Sequence, residues 1–566
     1  MTNSVGAVLL DTRSIQKYVF SCNELKTNVG ASYIVDRIFT ELMCKNVLPN
    51  LFYQENLDTN WEKNKEIKML QDDKLQCEVV YVGGGNMLLL VRMADEDQTQ
   101  AKCKEIVKAW SKDILLSAPG LHTGAAIGSI DIRKDFFKDS LDVLYKKLKQ
   151  NQNNILPNVD LPYTGLTKEC DISGKTADKW DQSRGEDKKR MVAAEVKAKI
   201  VAYEVADAEL QEKYESILKN EYCFANEFKK IGYKEGESYL SVIHIDGNNM
   251  GVKFSNCDDA QERKALSLKV QHNVETAFAS LLQSIVDEYD DYAAYLDMSR
   301  MQENNKKFLP IRPIIIGGDD VTFVCPGRLG VEYAKRFMEA MAKLPLLTTE
   351  QHGKMEKALK ETAGPDKKLS QGLSCCAGVA IVGAKYPFFR AYELAEQLCG
   401  AAKKNSRQDD TNWLEFAILH GEKTPELEQL RRQQYVGTEG YLHYGPYKVD
   451  ANYTGNDGLN ALLRLEGRLS SRANYSNLLG MGLRPMEARN KIKKLREVLT
   501  GNQHAINIFF ENTKDLQKIM QDETQKENVG AKDFWEKKQV DGKEITVTRY
   551  IDAIELMDFR PEEKER

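Results

Sequence analysis

Residues 314–324 read Ile-Ile-Ile-Gly-Gly-Asp-Asp-Val-Thr-Phe-Val, two apolar runs of strand type joined by two glycines and two adjacent aspartates. This pattern predicts a β-hairpin that carries Asp319 and Asp320 at its tip. Two carboxylates about 4 Å apart repel by several kcal/mol at an effective dielectric near 20, so the pair calls for a divalent cation. Gly317 and Gly318 permit positive φ and leave no side chain to block a phosphate approaching the turn. Upstream, the apolar run Tyr239 to Ile245 delivers a third carboxylate, Asp246, into Gly247-Asn248-Asn249-Met250-Gly251. A strand ending in aspartate, a long helical stretch and a hairpin tipped by Asp-Asp is the order in which a βαββαβ palm assembles a metal site. Such a site typically holds two magnesium ions roughly 3.5 to 4 Å apart, one at an attacking hydroxyl and one at a leaving pyrophosphate. That is nucleotidyl transfer chemistry. Gly and Asp are also ordinary turn residues, so a merely solvated turn is the plain alternative for the hairpin taken alone. The placement of Asp246 on its own strand end favours the metal reading.

The elements that must position these residues form a larger chain of 566 residues, too long for one core. Hydrophobic residues make up 42%, charged residues 29%, and the net charge is −5, which excludes a polybasic nucleic-acid binder overall. No stretch approaches the roughly 18 apolar residues of a membrane span and the first ten residues lack a basic leader, so a cytoplasmic protein without a membrane partner is expected. Eleven scattered cysteines, none in a C-x-x-C pair, read as free thiols.

Residues 1–150 read as a worn copy of the same palm. Val5 to Leu10 form a strand ending at Asp11, Ala31 to Lys45 are helical, and Cys77 to Val82 lead into Gly83-Gly84-Gly85-Asn86 before Met87 to Val91 return. A helix from about Gln98 to Leu115 and a strand near Ala125 to Ile132 complete the βαββαβ order. The turn is kept while both of its carboxylates are missing. Gly84, Gly85 and Asn86 are therefore candidates for binding a nucleotide, or the copy presents backbone amides across a pseudo-twofold interface, with a chance Gly-rich hairpin as the plain alternative.

Residues 151–237 read as a linker with turns followed by a charged helical stretch from Glu186 to Asn220, most simply on the surface. Residues 238–420 form the second palm: the acidic hairpin, a helix Gly330 to Ala342, a polar insertion to about Gln371, a strand Ser374 to Val382, and a helix opened by Lys385-Tyr386-Pro387 that runs to Lys404. Lys403 and Lys404 suit the helix dipole; alternatively Lys385 or Lys403 neutralises triphosphate charge. Residues 421–566 carry helical patterns and read as a helical C-terminal domain. The fold class is α+β, with two ferredoxin-like palms, a helical linker and a helical tail.

These segments resemble the large polymerase-like subunit of type III CRISPR effector complexes, the Cmr/Csm signature subunit. Asp11 to Phe20 with Gly30-Ala31-Ser32 is similar to the family's opening strand and helix, and Ile245 to Gly251 to its D-x-D-N-x-G segment. The resemblance covers both palms and, more loosely, the tail. It implies a synthase that joins ATP molecules 3′ to 5′ into cyclic oligoadenylates in antiviral defence, with magnesium or manganese as cofactor. By position it makes Asp246, Asp319 and Asp320 metal ligands, Asp319 and Asp320 the catalytic pair, and Gly317-Gly318 the turn beneath the phosphates. Gly247, Asn248 and Asn249 join them as nucleotide-binding candidates. A guide RNA-containing effector complex and target RNA are the implied partners. The chain departs from the family at three points: Asn248 stands where Asp is frequent, no His-Asp pair of a nuclease domain occurs, so no DNase activity is expected, and the zinc element is reduced to Cys170. Two other readings stay open, a diguanylate-cyclase-like enzyme and a non-catalytic nucleotide-binding scaffold or sensor.

Overall fold

The computed structural model describes residues 4–64, 66–83, 85–153, 163–183, 189–231, 238–294, 296–297, 301–303, 305–421, 426–470, 485–513, 534–540 and 542–560. The first palm comprises β1 (Ser4–Arg13), α1 (Leu25–Arg37), β2 (Cys77–Gly83), β3 (Asn86–Val91), α2 (Glu96–Ser117), β4 (His122–Asp131) and α3 (Lys134–Asn153). Its strands lie in the order β2-β3-β1-β4, with a two-residue strand, Leu57–Asp58, outside β2. Between the palms, α4 (Ala194–Lys213) packs inward, which corrects the surface placement expected for this stretch. Val196, Ile200 and Tyr203 are buried, and so are Glu195 and Lys199. Lys199 escapes the cost of burial because its Nζ donates to the Tyr18 carbonyl at 2.7 Å and to Ser21 Oγ at 2.8 Å, and pairs with Glu195. Paired charges made a buried helix look solvated.

The second palm repeats the plan: β5 (Tyr239–Gly247), α5 (Ala260–Asp287), β6 (Arg312–Gly317), β7 (Asp320–Pro326), α6 (Gly330–Ala342), α7 (Thr349–Ala363), β8 (Cys375–Gly383) and α8 (Phe388–Asp409). The polar insertion therefore contains a helix, α7, whose capping box pairs Thr348 with Gln351. The sheet order is β6-β7-β5-β8, extended by β9 (Trp413–Ile418), parallel to β8, and by β10 (Tyr447–Lys448) from the C-terminal segment. The molecule is α+β with two ferredoxin-like palms. The tail is helical in α9 (Leu459–Ser470), α10 (Pro485–Thr500) and α11 (Tyr550–Leu556) and also holds a hairpin, Glu536–Val540 with Lys543–Val547. Buried His443 ties this tail to the palm sheet, with Nδ1 2.7 Å from Asp552 of α11 and Nε2 3.0 Å from Glu415 of β9. No helix of the described residues is long and apolar enough to cross a membrane.

Alternation along β5 sends Ile243 and Ile245 to one face of the sheet, and His244 and Asp246 to the face covered by α8. Phe323 of β7 meets Phe278 of α5 and Phe337 of α6 on the first face. On the second face small residues let α8 approach closely. A Cβ on Gly378 of β8 would stand 1.9 Å from the Ala395 carbonyl oxygen and 2.5 Å from the Cys399 nitrogen. Gly378→Ala should accordingly push α8 off the sheet and cost about 1–3 kcal/mol. Gly383→Ala, which meets nothing within 4 Å, should stay within about 0.5 kcal/mol of the parent. Chemical denaturation of the two variants checks this contrast.

Candidate active site

Gly317 pairs with Asp320 across the hairpin, so the turn proper is Gly318-Asp319. Gly318 has φ of +59° and Asp319 has ordinary backbone, the pattern of a type II′ turn that suits the twist of β6 and β7. Val321 pairs with Ile245, which sets the hairpin tip beside the end of β5, where Asp246 faces Cys376 of β8. A Cβ on Gly247 would stand 2.7 Å from Asp319 Cβ and 3.0 Å from its Oδ2, so only glycine lets the hairpin tip close onto β5 here. The structure thus brings Asp246, Asp319, Asp320, Gly247, Gly317 and Gly318 together.

Lys403 of α8 reaches the same place. Its Nζ forms an ion pair with Asp246 Oδ2 and lies 3.5 Å from the Gly247 carbonyl. Burial opposes the charge on Lys403, but Asp246 outweighs it and raises the ammonium above the usual lysine range. Asp319 keeps part of its surface open while protein atoms crowd its carboxyl. Desolvation, followed by the charges of Asp246 and Asp320, raises it to about 7. Asp320 Oδ1 is buried without an aligned hydrogen bond, and His244 Nδ1 stands 3.4 Å from it.

Lys385 is not part of this cluster. β8 runs antiparallel to β5, with Cys376 opposite Asp246 and Gly383 opposite Tyr239, so Lys385 lies past the far end of the sheet, on the order of 20 Å away along the strands. Asn248 and Asn249 neighbour the acids but turn inward. Asn248 Nδ2 donates to the Thr411 carbonyl at 3.2 Å, and Asn249 Nδ2 donates to Asp410 Oδ1 at 2.7 Å. Buried Asp410 also accepts from Ser374 Oγ at 2.9 Å and from the Ser370 amide at 2.7 Å. Fully buried Lys253 lies 3.7 Å from Asp410 and donates to the Asn248 carbonyl at 2.9 Å. This knot clamps the turn that follows Asp246, and sequence reasoning missed it because its members are up to 163 positions apart. Glu396, on the same stripe of α8 as Lys403, was also missed; its charge acts on His244 and Tyr392.

In the first palm, Asp11 pairs in register with Asn86, and Gln152 of α3 donates to its carboxylate. Gln152 thereby occupies the place that Lys403 takes at Asp246, and Asn86 the place of Asp320. Gly85 has φ of +76°, and its carbonyl accepts from both the Thr12 amide and Thr12 Oγ1 at 2.8 Å. Gly84 lies outside the described residues. The worn turn abuts the second palm: a Cβ on Gly83 would stand 2.5 Å from Ser267 Oγ of α5.

Residues 239–412 match the family model of the Cas10/Cmr2 second palm domain. The chain carries a Cas10/Cmr2 palm. The match begins with β5, spans the acidic hairpin and ends just after α8, so every acid of the cluster lies within the Cas10/Cmr2 segment. Among solved structures, a Csm1–Csm4 cassette in complex with cA4 is 12% identical with TM-score 0.41, over 82% of this chain and 62% of that one. A cassette in complex with cA3 is 12% identical with TM-score 0.42, over 92% and 69%. The Csm1–Csm4 subcomplex of a type III-A CRISPR-Csm interference complex is 13% identical with TM-score 0.39, over 92% and 68%. The chain thus spans about 62% of the length of the first of these. No curated protein matches it.

Among the described residues, no group of three or more His, Cys, Asp or Glu is preassembled to hold a metal ion. With Lys403 on Asp246, the cluster is partly neutralised from within. Its donors nonetheless suit magnesium: hard carboxylate oxygens from three aspartates, among them an acid whose ionisation is opposed by burial and by its like-charged neighbours. Because the folded pKa of Asp319 is raised above its unfolded value of about 4, ionisation costs the metal-free fold stability as pH rises from about 4 through about 7. Asp319→Asn should therefore raise the melting temperature of the metal-free protein by about 2 °C or more at pH 8, and by less at pH 4. Thermal scans in chelator at the two pH values check the sign.

Proposed function

We propose that the second palm is a magnesium-dependent nucleotidyltransferase that condenses ATP into a 3′–5′ linked, cyclic oligoadenylate, acting within an RNA-guided type III antiviral complex. The observation that carries this reading is the convergence of Asp319 and Asp320, on a two-residue hairpin tip, with Asp246 on the adjacent strand end, inside a segment of Cas10/Cmr2 type. Divalent metal held by Asp246, Asp319 and Asp320 would supply Lewis-acid activation of the attacking hydroxyl and stabilise the departing pyrophosphate. The 3′-hydroxyl oxygen of one ATP bonds to the α-phosphorus of another, the α–β anhydride breaks, and the hydroxyl proton is lost to solvent.

The chain's own residues would orient this step. Gly317 and Gly318 leave the turn open to phosphate, and Lys403 transfers its charge from Asp246 to a phosphate oxygen once the acids have another counter-ion. The Asp410–Lys253 knot keeps the Gly247–Asn249 turn fixed during turnover. The first palm, with the Asp11–Gln152–Asn86 cluster in the corresponding place, offers amide and carboxylate hydrogen bonds in place of metal ligation and suits nucleotide binding without chemistry.

Incubation with ATP and magnesium, with the activating RNA complex supplied, should yield cyclic oligoadenylate and pyrophosphate by mass spectrometry. The double variant Asp319→Ala, Asp320→Ala should lose at least about 100-fold in rate while keeping its circular dichroism. Undiminished synthesis in that variant excludes this site. Turnover of GTP in place of ATP would select the diguanylate-cyclase-like alternative.

A further inference from the structure

His244 is an unexpected residue in the middle of a strand core. It is 3% exposed, sits two residues before Asp246 on the same face of β5, and makes its polar contacts through Nδ1, 3.4 Å from both Asp320 Oδ1 and Thr322 Oγ1. Above it lies Tyr392 of α8, ring edge to face with centroids 5.4 Å apart. Tyr392 is in turn stacked on Phe20 of the first palm, at 3.7 Å and 24°. Asn23, three residues beyond Phe20, accepts the Phe388 amide at the start of α8 at 3.1 Å. An imidazole is thus pressed against the acidic hairpin by a helix that the other palm clamps.

We propose that His244 is a positioning residue for Asp320: the Tyr392–Phe20 stack holds its imidazole 3.4 Å from Oδ1, an oxygen without an aligned hydrogen bond in the metal-free chain, so that an Nδ1–H bond closes onto it when the other carboxylate oxygen turns to the nucleotide site. This rests on the proposed function for its catalytic consequence, although not for the geometry itself. Carboxylates that hold metals work best when an outer hydrogen bond fixes their orientation, and loss of such a partner typically weakens metal binding by 10- to 100-fold. A histidine that merely filled the core would behave otherwise: any apolar residue of similar size would serve, and damage would follow lost stability.

Two substitutions separate these roles. His244→Asn places an amide N–H near the position of Nδ1, while His244→Leu keeps the bulk and removes the donor. Each full-length variant is titrated with manganese by electron paramagnetic resonance, assayed for kcat and KM with ATP, and melted. Positioning predicts that His244→Leu weakens manganese binding at least tenfold and lowers kcat more than it raises KM, with a melting temperature no lower than that of His244→Asn. It also predicts that His244→Asn recovers manganese affinity to within about threefold of the parent. Equal manganese affinities in the two variants, or losses that simply follow the melting temperatures, overturn it. If the parent turns over no ATP, the proposed function fails, whereas the manganese comparison still decides the role of His244.

Discussion

Mutual repulsion among three carboxylates is the constraint around which the second palm is organised. Asp246, Asp319 and Asp320 are kept together by antiparallel pairing of β5 with β7 and by a two-residue turn, which offer the side chains no retreat. The charge must be compensated, and Lys403 does so in part by pairing with Asp246. What it leaves uncompensated is visible at Asp319, held far above the usual carboxylate range by burial and by its two neighbours. The need for close approach of α8 explains the small residues beneath it, and the need for a rigid turn after Asp246 explains why Asp410, Ser374 and Lys253 are buried together. A cluster that is electrostatically unsatisfied by its own protein is suited to cations that arrive with a nucleotide.

The two palms present the same backbone frame with opposite electrostatic content. At the strand end of the first, a single carboxylate, Asp11, faces two neutral amides, Gln152 and Asn86. Desolvation raises Asp11 as well, with Gln152 and Arg13 acting against it. The second palm concentrates three acids and one lysine in the corresponding place. Several contacts join the copies, two of them on aromatic side chains. Arg263 of α5 donates to Tyr145 of the first palm at 3.1 Å, and Phe20 stacks on Tyr392.

Much of this frame was legible because the signals were local. Alternation and the Gly-Gly turn marked the hairpin, and β-branched runs marked β5 and the strands of the first palm. Long-range features were not legible. Lys199 and Glu195 made α4 read as a solvated helix, because charge pairing across the fold cannot be seen in a periodicity. β9 is buried throughout, but Glu415, paired with Arg431 and His443, interrupts its apolar run and hides the strand. Lys385 was grouped with Lys403 by proximity in sequence, although antiparallel strand direction places the residues after β8 at the opposite end from Asp246. Asn248 and Asn249 were nucleotide-binding candidates by position, yet the fold directs their amides to Thr411 and Asp410.

The three acids are expected to take divalent cations together with a triphosphate, and Lys403 to leave Asp246 when they do. Crystals grown with manganese and a non-hydrolysable ATP analogue test this most directly through anomalous scattering. Manganese peaks are expected beside Asp246 and the Asp319–Asp320 tip, with Lys403 Nζ on the triphosphate. Nucleotide bound elsewhere, with Lys403 still paired to Asp246 and no manganese at the hairpin, would contradict it.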